Sequence, residues 1–220
     1  MAKILNIDSS TKLASVSLAE DGNILLSKFN GNQKDHSAFL HPAIKDVMAE
    51  LGVRFDQLAA ISVTGGPGSY TGLRVGLSTA KGLCYAKNLP LILVGTLPCI
   101  VHAAALLEKD EEAWYTAMVD ARRMEVFTAT YNYQLEEILA PSAQILGADS
   151  FTNFPNKKII FAGDGSAKFQ KTTTIHGSKF YPEIDVTQSL AQLSFQYCTQ
   201  KKFSSIAYSE PFYLKEFQGR

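Results

Sequence analysis

The sequence predicts an α/β protein with a duplicated lobe. Two observations predict it. Strand and helix patterns alternate through most of the 220 residues. A strand that ends in aspartate, a polar turn and a returning strand occur at Asp8 and again at Asp120, 112 residues later (120 minus 8) and about half the chain away. With 46% hydrophobic and 19% charged residues, the chain has the apolar material for a folded core and too few charges for disorder.

Lys3 to Ile7 reads as a buried strand stopping at Asp8-Ser9-Ser10-Thr11. Leu13 to Ala19 returns with Ala14, Val16 and Leu18 on one face and Ser15 and Ser17 on the other. Asp21-Gly22 signals a hairpin into a third strand, Ile24 to Lys28. From Asp35 or His36 to Leu51, the residues Phe39, Leu40, Ala43, Ile44, Val47 and Met48 keep helical spacing, and Gly52 stops the helix. Pro42 interrupts that pattern: it lacks an N–H and clashes with the preceding turn, so a kink or a later start is expected. Ala60 to Thr64 is a strand, and Gly65-Gly66-Pro67-Gly68 opens a helix capped by Ser69 that runs to about Lys87.

Leu91 to Val94 is the next strand, and Thr96 caps a helix over Leu97 to Glu108. The charged stretch Glu108 to Glu112 then sets the expected boundary. A first lobe would span 1–108 and a smaller second lobe 109–220, the last segment being a candidate to return to the first. Within the second, Trp114 to Val119 and Glu125 to Tyr131 form a strand pair. Ile159 to Ala162 is a strand ending at Gly163-Asp164-Gly165, and Thr187 to Lys201 is a helix.

Twenty-one basic residues balance twenty-one acidic ones, which excludes a strongly basic nucleic-acid binder. Any RNA contact then needs a partner's charge or a local patch. Met1 to Ile7 lacks the long apolar region of a secretion signal, and no stretch approaches a membrane span. Cys84, Cys99 and Cys198 lie far apart, which fits neither a disulfide framework nor a zinc site, so a reducing cytoplasm is the expected location.

Four groups could carry chemistry. Asp8 with Ser9, Ser10 and Thr11 could hold a hydrated cation and phosphate oxygens, or simply form a polar turn bonded to its own backbone. The glycine loop before Ser69 could expose amides to an anion, but it carries neither of the common nucleotide-loop patterns. Asp120-Ala121-Arg122-Arg123 could bind an anionic ligand or close a surface turn by a salt bridge, and Gly163-Asp164-Gly165-Ser166 resembles a phosphate turn loosely. Gly72, Gly76 and Ala80 recur every fourth residue and so form one row. Glycine within a helix costs ~1 kcal/mol relative to alanine, so the row implies a close contact, either with the protein's own sheet or with another molecule.

No catalytic residue and no metal site are assigned. Of the four histidines, His36, His41, His102 and His176, the first two are five apart, about 140 degrees around a helix, so they cannot share an ion as an i, i+4 pair does. No Gly-x-Ser-x-Gly elbow is present.

Four segments together resemble the TsaB family, also called YeaZ. They are Ile4 to Thr11, Gly66-Pro67-Gly68-Ser69-Tyr70-Thr71-Gly72-Leu73-Arg74-Val75-Gly76, Met118-Val119-Asp120-Ala121-Arg122-Arg123, and Pro211-Phe212-Tyr213-Leu214. The resemblance implies a two-lobed actin-like, sugar-kinase-like and Hsp70-like (ribonuclease H-like) fold of duplicated mixed sheets flanked by helices. It implies a non-catalytic scaffold subunit in the synthesis of tRNA N6-threonylcarbamoyladenosine, binding and activating the transferase TsaD, with the ATPase TsaE completing the machinery. It further implies a homodimer when the chain is alone, tRNA contact only through the complex, no membrane, and no cofactor bound by this chain alone, ATP and metal belonging to the partners. TsaD-like proteins carry a His-x-x-x-His pair where this chain has His36 and His41 at another interval.

On that resemblance the partner interface is expected at His36, Phe39, Leu40, Ala43, Val47, Tyr70, Gly72, Leu73, Gly76 and Ala80. Asp8, Ser9, Ser10, Thr11, Asp120, Gly163 and Gly165 are expected to be remnants of a nucleotide or phosphate site. Gly76→Leu should then abolish TsaD binding and spare folding. The alternatives are an independent ATP-hydrolysing or phosphotransfer enzyme using Asp8 and Asp120, and an inactive metallopeptidase-like homologue.

Overall fold

The computed structural model describes residues 1–32, 35–152, 154, 157–175 and 177–215, so His176 lies outside the described residues. The chain divides into two units. Unit 1 comprises Met1–Thr96 and Thr187–Phe212; unit 2 comprises Leu97–Val186 and the residues from Tyr213 onward.

Unit 1 carries a sheet of β1 (Lys3–Asp8), β2 (Ala14–Glu20), β3 (Asn23–Asn30), β4 (Leu58–Thr64) and β5 (Leu91–Val94), in the order β3-β2-β1-β4-β5. The first three strands are antiparallel neighbours, whereas β4 lies parallel to β1 and β5 parallel to β4. Asp21 and Gly22 both have positive φ, 49 and 81 degrees, which matches the right-handed twist of the β2–β3 hairpin. Between β3 and β4 lies α1 (His36–Glu50), followed by a 3₁₀ turn at Phe55–Gln57; α2 (Tyr70–Lys87) connects β4 to β5.

The sheet is covered on both faces. Leu5, Ile7, Val16, Leu18, Ile61 and Val63 pack against Leu40, Ile44 and Val47 of α1 and Leu77, Ala80 and Cys84 of α2. The opposite face, with Asn6, Ser15 and Ser17, is buried too and is covered by α5 (Thr187–Thr199). Polar groups meet there: Ser194 Oγ donates to Asn6 Oδ1 at 2.6 Å, and Thr187 Oγ1 donates to Ser15 Oγ at 3.3 Å. The alternation in β2 therefore marks two buried faces, and satisfied hydrogen bonds make the polar one tolerable.

Unit 2 repeats the plan with β6 (Trp114–Asp120), β7 (Glu125–Tyr131), β8 (Glu137–Ile145), β9 (Ile159–Ala162) and β10 (Lys179–Tyr181), in the order β10-β9-β6-β7-β8. Its parallel and antiparallel pairings are those of unit 1, strand for strand. One face packs Tyr115, Ala117, Val119 and Ile160 under α3 (Thr96–Glu108); the other packs Met118, Val126 and Phe161 with Phe169 of α4 (Ser166–Gln170).

Two expectations change, the lobe boundary and the later start of α1. The division falls after Thr96 rather than after Glu108, because α3 buries Leu97, Ile100, Val101 and Ala104 against the second sheet. The chain from Thr187 to Phe212 belongs to unit 1. Helix α1 starts at His36 in spite of Pro42, which is exposed. The Ala38 carbonyl that loses its bond belongs to an exposed residue, where water can satisfy it.

Candidate functional site

The first aspartate turn is closed on itself. Asp8 is only 2% exposed, and its Oδ1 accepts three hydrogen bonds: from Ser10 N at 2.9 Å, Ser10 Oγ at 2.7 Å and Thr64 Oγ1 at 2.7 Å. Ser9 and Ser10 are buried, and Thr11 is half-buried. Ser9 Oγ donates to the Gly72 carbonyl at 2.8 Å, and Ser69 N donates to the Ser10 carbonyl at 2.7 Å. The turn is thus stitched to the start of α2.

That stitching accounts for the glycine row. A Cβ at Gly72 would collide with the Ser9 carbonyl oxygen, and one at Gly76 with Ser9 Oγ. Ala80 is fully buried. The close contact that the row implies is therefore with the protein's own turn, and the expected interface residues need correction. His36, Leu40, Ala43, Val47, Gly72, Leu73, Gly76 and Ala80 are buried in unit 1; of the ten only Phe39 and Tyr70 are partly exposed. Apolar spacing along a helix finds the face that packs on the sheet, which is the core face. Gly76→Leu would disrupt folding rather than spare it, for the same reason.

His36 and His41 differ in setting, and no group of three or more metal-ligating residue types occurs among the described residues. His36 is buried with Nε2 3.2 Å from the Lys12 carbonyl oxygen, whereas His41 is exposed.

The second aspartate turn is built from unit 2. Asp164 Oδ1 accepts from Asp120 N at 2.8 Å, and Asp120 Oδ1 accepts from Arg122 N at 2.6 Å. Burial pushes the Asp164 carboxyl above its ordinary range. Gly163 has φ of 101 degrees, and side chains at Gly163 or Gly165 would meet the Met118 backbone, so the glycines serve the approach of this loop to β6. Lys168, which no local pattern singles out, donates from Nζ to Asp120 Oδ1, Arg123 O and Glu125 O at 2.8, 2.8 and 2.7 Å. The Arg122 and Arg123 residues are exposed.

A different surface emerges on the outward side of α1 and α2. Thr71, Arg74, Ser78, Gly82 and Tyr85 are exposed at helical spacing along α2, and Tyr85 is 82% exposed. Among the described residues, a Cβ at Gly82 would meet nothing within 4 Å. On α1 the exposed residues include Ala38, His41, Lys45 and Ala49. Beside them a cavity of about 530 Å³ is lined by Ile44, Met48, Val53, Phe55 and Leu83, with Lys45 and Arg54 also on its wall.

A profile of the family described as TsaD, tRNA N6-adenosine threonylcarbamoyltransferase, matches residues 25–214. The tRNA threonylcarbamoyladenosine biosynthesis protein TsaB of Haemophilus influenzae is 30% identical over 230 residues, covering 96% of this chain and 93% of that protein. The chain belongs to the TsaB family. TsaB of Escherichia coli is 33% identical over a shorter match, 59% of this chain and 54% of that protein. Among solved structures, YeaZ from Pseudomonas aeruginosa matches with a TM-score of 0.82 and 26% identity over 97% of this chain and 100% of that one. A polyphosphate/ATP-glucomannokinase from Arthrobacter, with a TM-score of 0.52 at 11% identity over 91% of this chain and 100% of that one, shares the fold alone. The two-lobed, sugar-kinase-like fold that the resemblance implies is thus the observed one. Membership places this TsaB-family chain in tRNA threonylcarbamoyladenosine synthesis. Among the described residues no helix is long and apolar enough to cross a membrane.

Proposed function

We propose that the chain is a non-catalytic scaffold that binds and activates TsaD through the outward faces of α1 and α2. The observation that carries this reading is Gly82. It lies in the interior of α2 with nothing among the described residues within 4 Å of a would-be Cβ, so the ~1 kcal/mol it costs the helix has no return from them. A facing helix that approaches closely supplies one. The exposed Tyr85 one turn on and the neighbouring apolar cavity add the kind of contact that anchors an interface. Asp8 supports the non-catalytic part, since one of its two carboxylate oxygens, Oδ1, is taken by three donors of the chain itself.

In this reading ATP and metal chemistry belong to TsaD and TsaE, and tRNA meets the chain only within the complex. The same helix faces pair two copies when TsaD is absent, in the cytoplasm. Gly82→Arg and Tyr85→Ala test the proposal by co-purification with TsaD and by assay of the modified nucleoside. Gly82→Arg should unfold at or above the wild-type temperature, because it replaces glycine in an exposed helix, and yet lose TsaD. Full TsaD binding by both folded variants would reject the docking face. ATP turnover by the purified chain that Asp8→Ala abolishes would reject the scaffold reading.

A further inference from the structure

We infer that Lys168 is a tethered cation: its ammonium fills an oxygen-lined position formed by Asp120, Arg123 and Glu125, and so closes that turn to an external metal ion. An ammonium has three N–H donors and no acceptor. All three donors are used here, on Asp120 Oδ1 at 2.8 Å, Arg123 O at 2.8 Å and Glu125 O at 2.7 Å. One carboxylate and two backbone carbonyls converging on one point is the donor type that hard cations such as calcium take. The Lys168 side chain is 16% exposed although Asp120 beside it is 47% exposed, so the charged end is drawn inward instead of extending into water.

The position of Lys168 is set from behind. Its neighbour Phe169 is fully buried, with its ring centroid 5.4 Å from Phe151 and 5.0 Å from Phe161. Those rings fix α4, and Lys168 reaches from it to the turn. The turn itself needs a clamp. Arg122 and Arg123 have φ of 68 and 49 degrees, a left-handed conformation that costs roughly 1–2 kcal/mol at a residue with a Cβ. The ammonium holds the carbonyls of Arg123 and Glu125 and the Asp120 carboxylate together across that strained stretch. Unit 1 reaches a similar end differently, satisfying Asp8 with an amide and two hydroxyls. The inference is independent of any partner.

The experiment uses the full-length chain. In the wild type, nitrogen-15 NMR of lysine side chains should show one slowly exchanging ammonium, assigned to Lys168 by its loss in Lys168→Met. Calcium or magnesium, compared with sodium at matched ionic strength, should leave wild-type thermal unfolding unchanged. Lys168→Ala vacates the position, so the amides of Arg122 and Glu125 should exchange at least about tenfold faster, as expected when a charge-assisted clamp is lost. Calcium should slow them again and raise the unfolding temperature. Lys168→Met fills the space without charge, so it should be weakened but not rescued. A wild type without a protected lysine ammonium would overturn the inference, whether or not the variants fold. So would a folded Lys168→Ala chain with unchanged turn amides or without a calcium response.

Discussion

Gly76 and Gly82 lie on the same helix and do opposite things. Gly76 faces Ser9 of its own chain, where any side chain collides; Gly82 faces open space. Substitution should separate them cleanly. Gly76→Leu is expected to lower stability by roughly 3 kcal/mol, the upper range for overpacking, read as a fall in the urea midpoint. The sequence showed the row of small residues and the need for a close contact, but a repeat of four cannot say whether the neighbour belongs to the same molecule. Thr64 and Lys168 were missed because their partners are remote in the chain: Asp8 is 56 residues from Thr64, and Asp120 is 48 from Lys168. Asp8 and Asp120, by contrast, stood out because each ends a strand before a polar turn, and both prove to be the centres of their turns.

Helix α3 ends on a charged knot that makes a second expectation. Glu108 accepts from Lys179 Nζ at 2.8 Å and from the Tyr181 hydroxyl, and Lys158 lies 3.6 Å away. The hydrogen bond from Lys179, then that from Tyr181, holds the Glu108 carboxyl below its ordinary range. The stability this group contributes is therefore full above the usual glutamate range and is lost as pH falls through its lowered value. Lys179→Met should flatten that acid dependence in pH-resolved unfolding, with less than about 1 kcal/mol lost at neutral pH because the lysine is half exposed. Most elements were readable from pattern, including the β2–β3 hairpin and the helices α1, α2 and α5 of unit 1. Strand β8 was not: it is an exposed edge strand containing Pro141, so it lacks the buried alternation that marks a strand. Helix α4 and strand β10 are too short, five and three residues, to show a period.

Across the whole chain, two sheets of one topology exchange their last helices. The helix after β5 packs on the second sheet, and the helix after β10 packs on the first. The expected boundary at 108 failed for this reason, since a charged stretch marks a chain break in composition and not the place where a helix is buried. Fragments should behave accordingly. Residues 97–186 are expected to fold alone, with dispersed NMR signals. Residues 1–96 should not, until a peptide spanning 187–212 is supplied to cover Asn6, Ser15 and Ser17. Ordered proton resonances from 1–96 alone would contradict that.

The exchange of helices also has a consequence for synthesis on the ribosome. The sheet translated first has a face covered by Thr187–Thr199, a segment made after the whole of 97–186, whereas most of the later-made unit is contiguous. The usual order, amino-terminal part first, is thereby inverted. A nascent chain with residues 97–186 clear of the tunnel and 187–212 still inside it would hold a second unit free to fold and a first one still waiting for its cover.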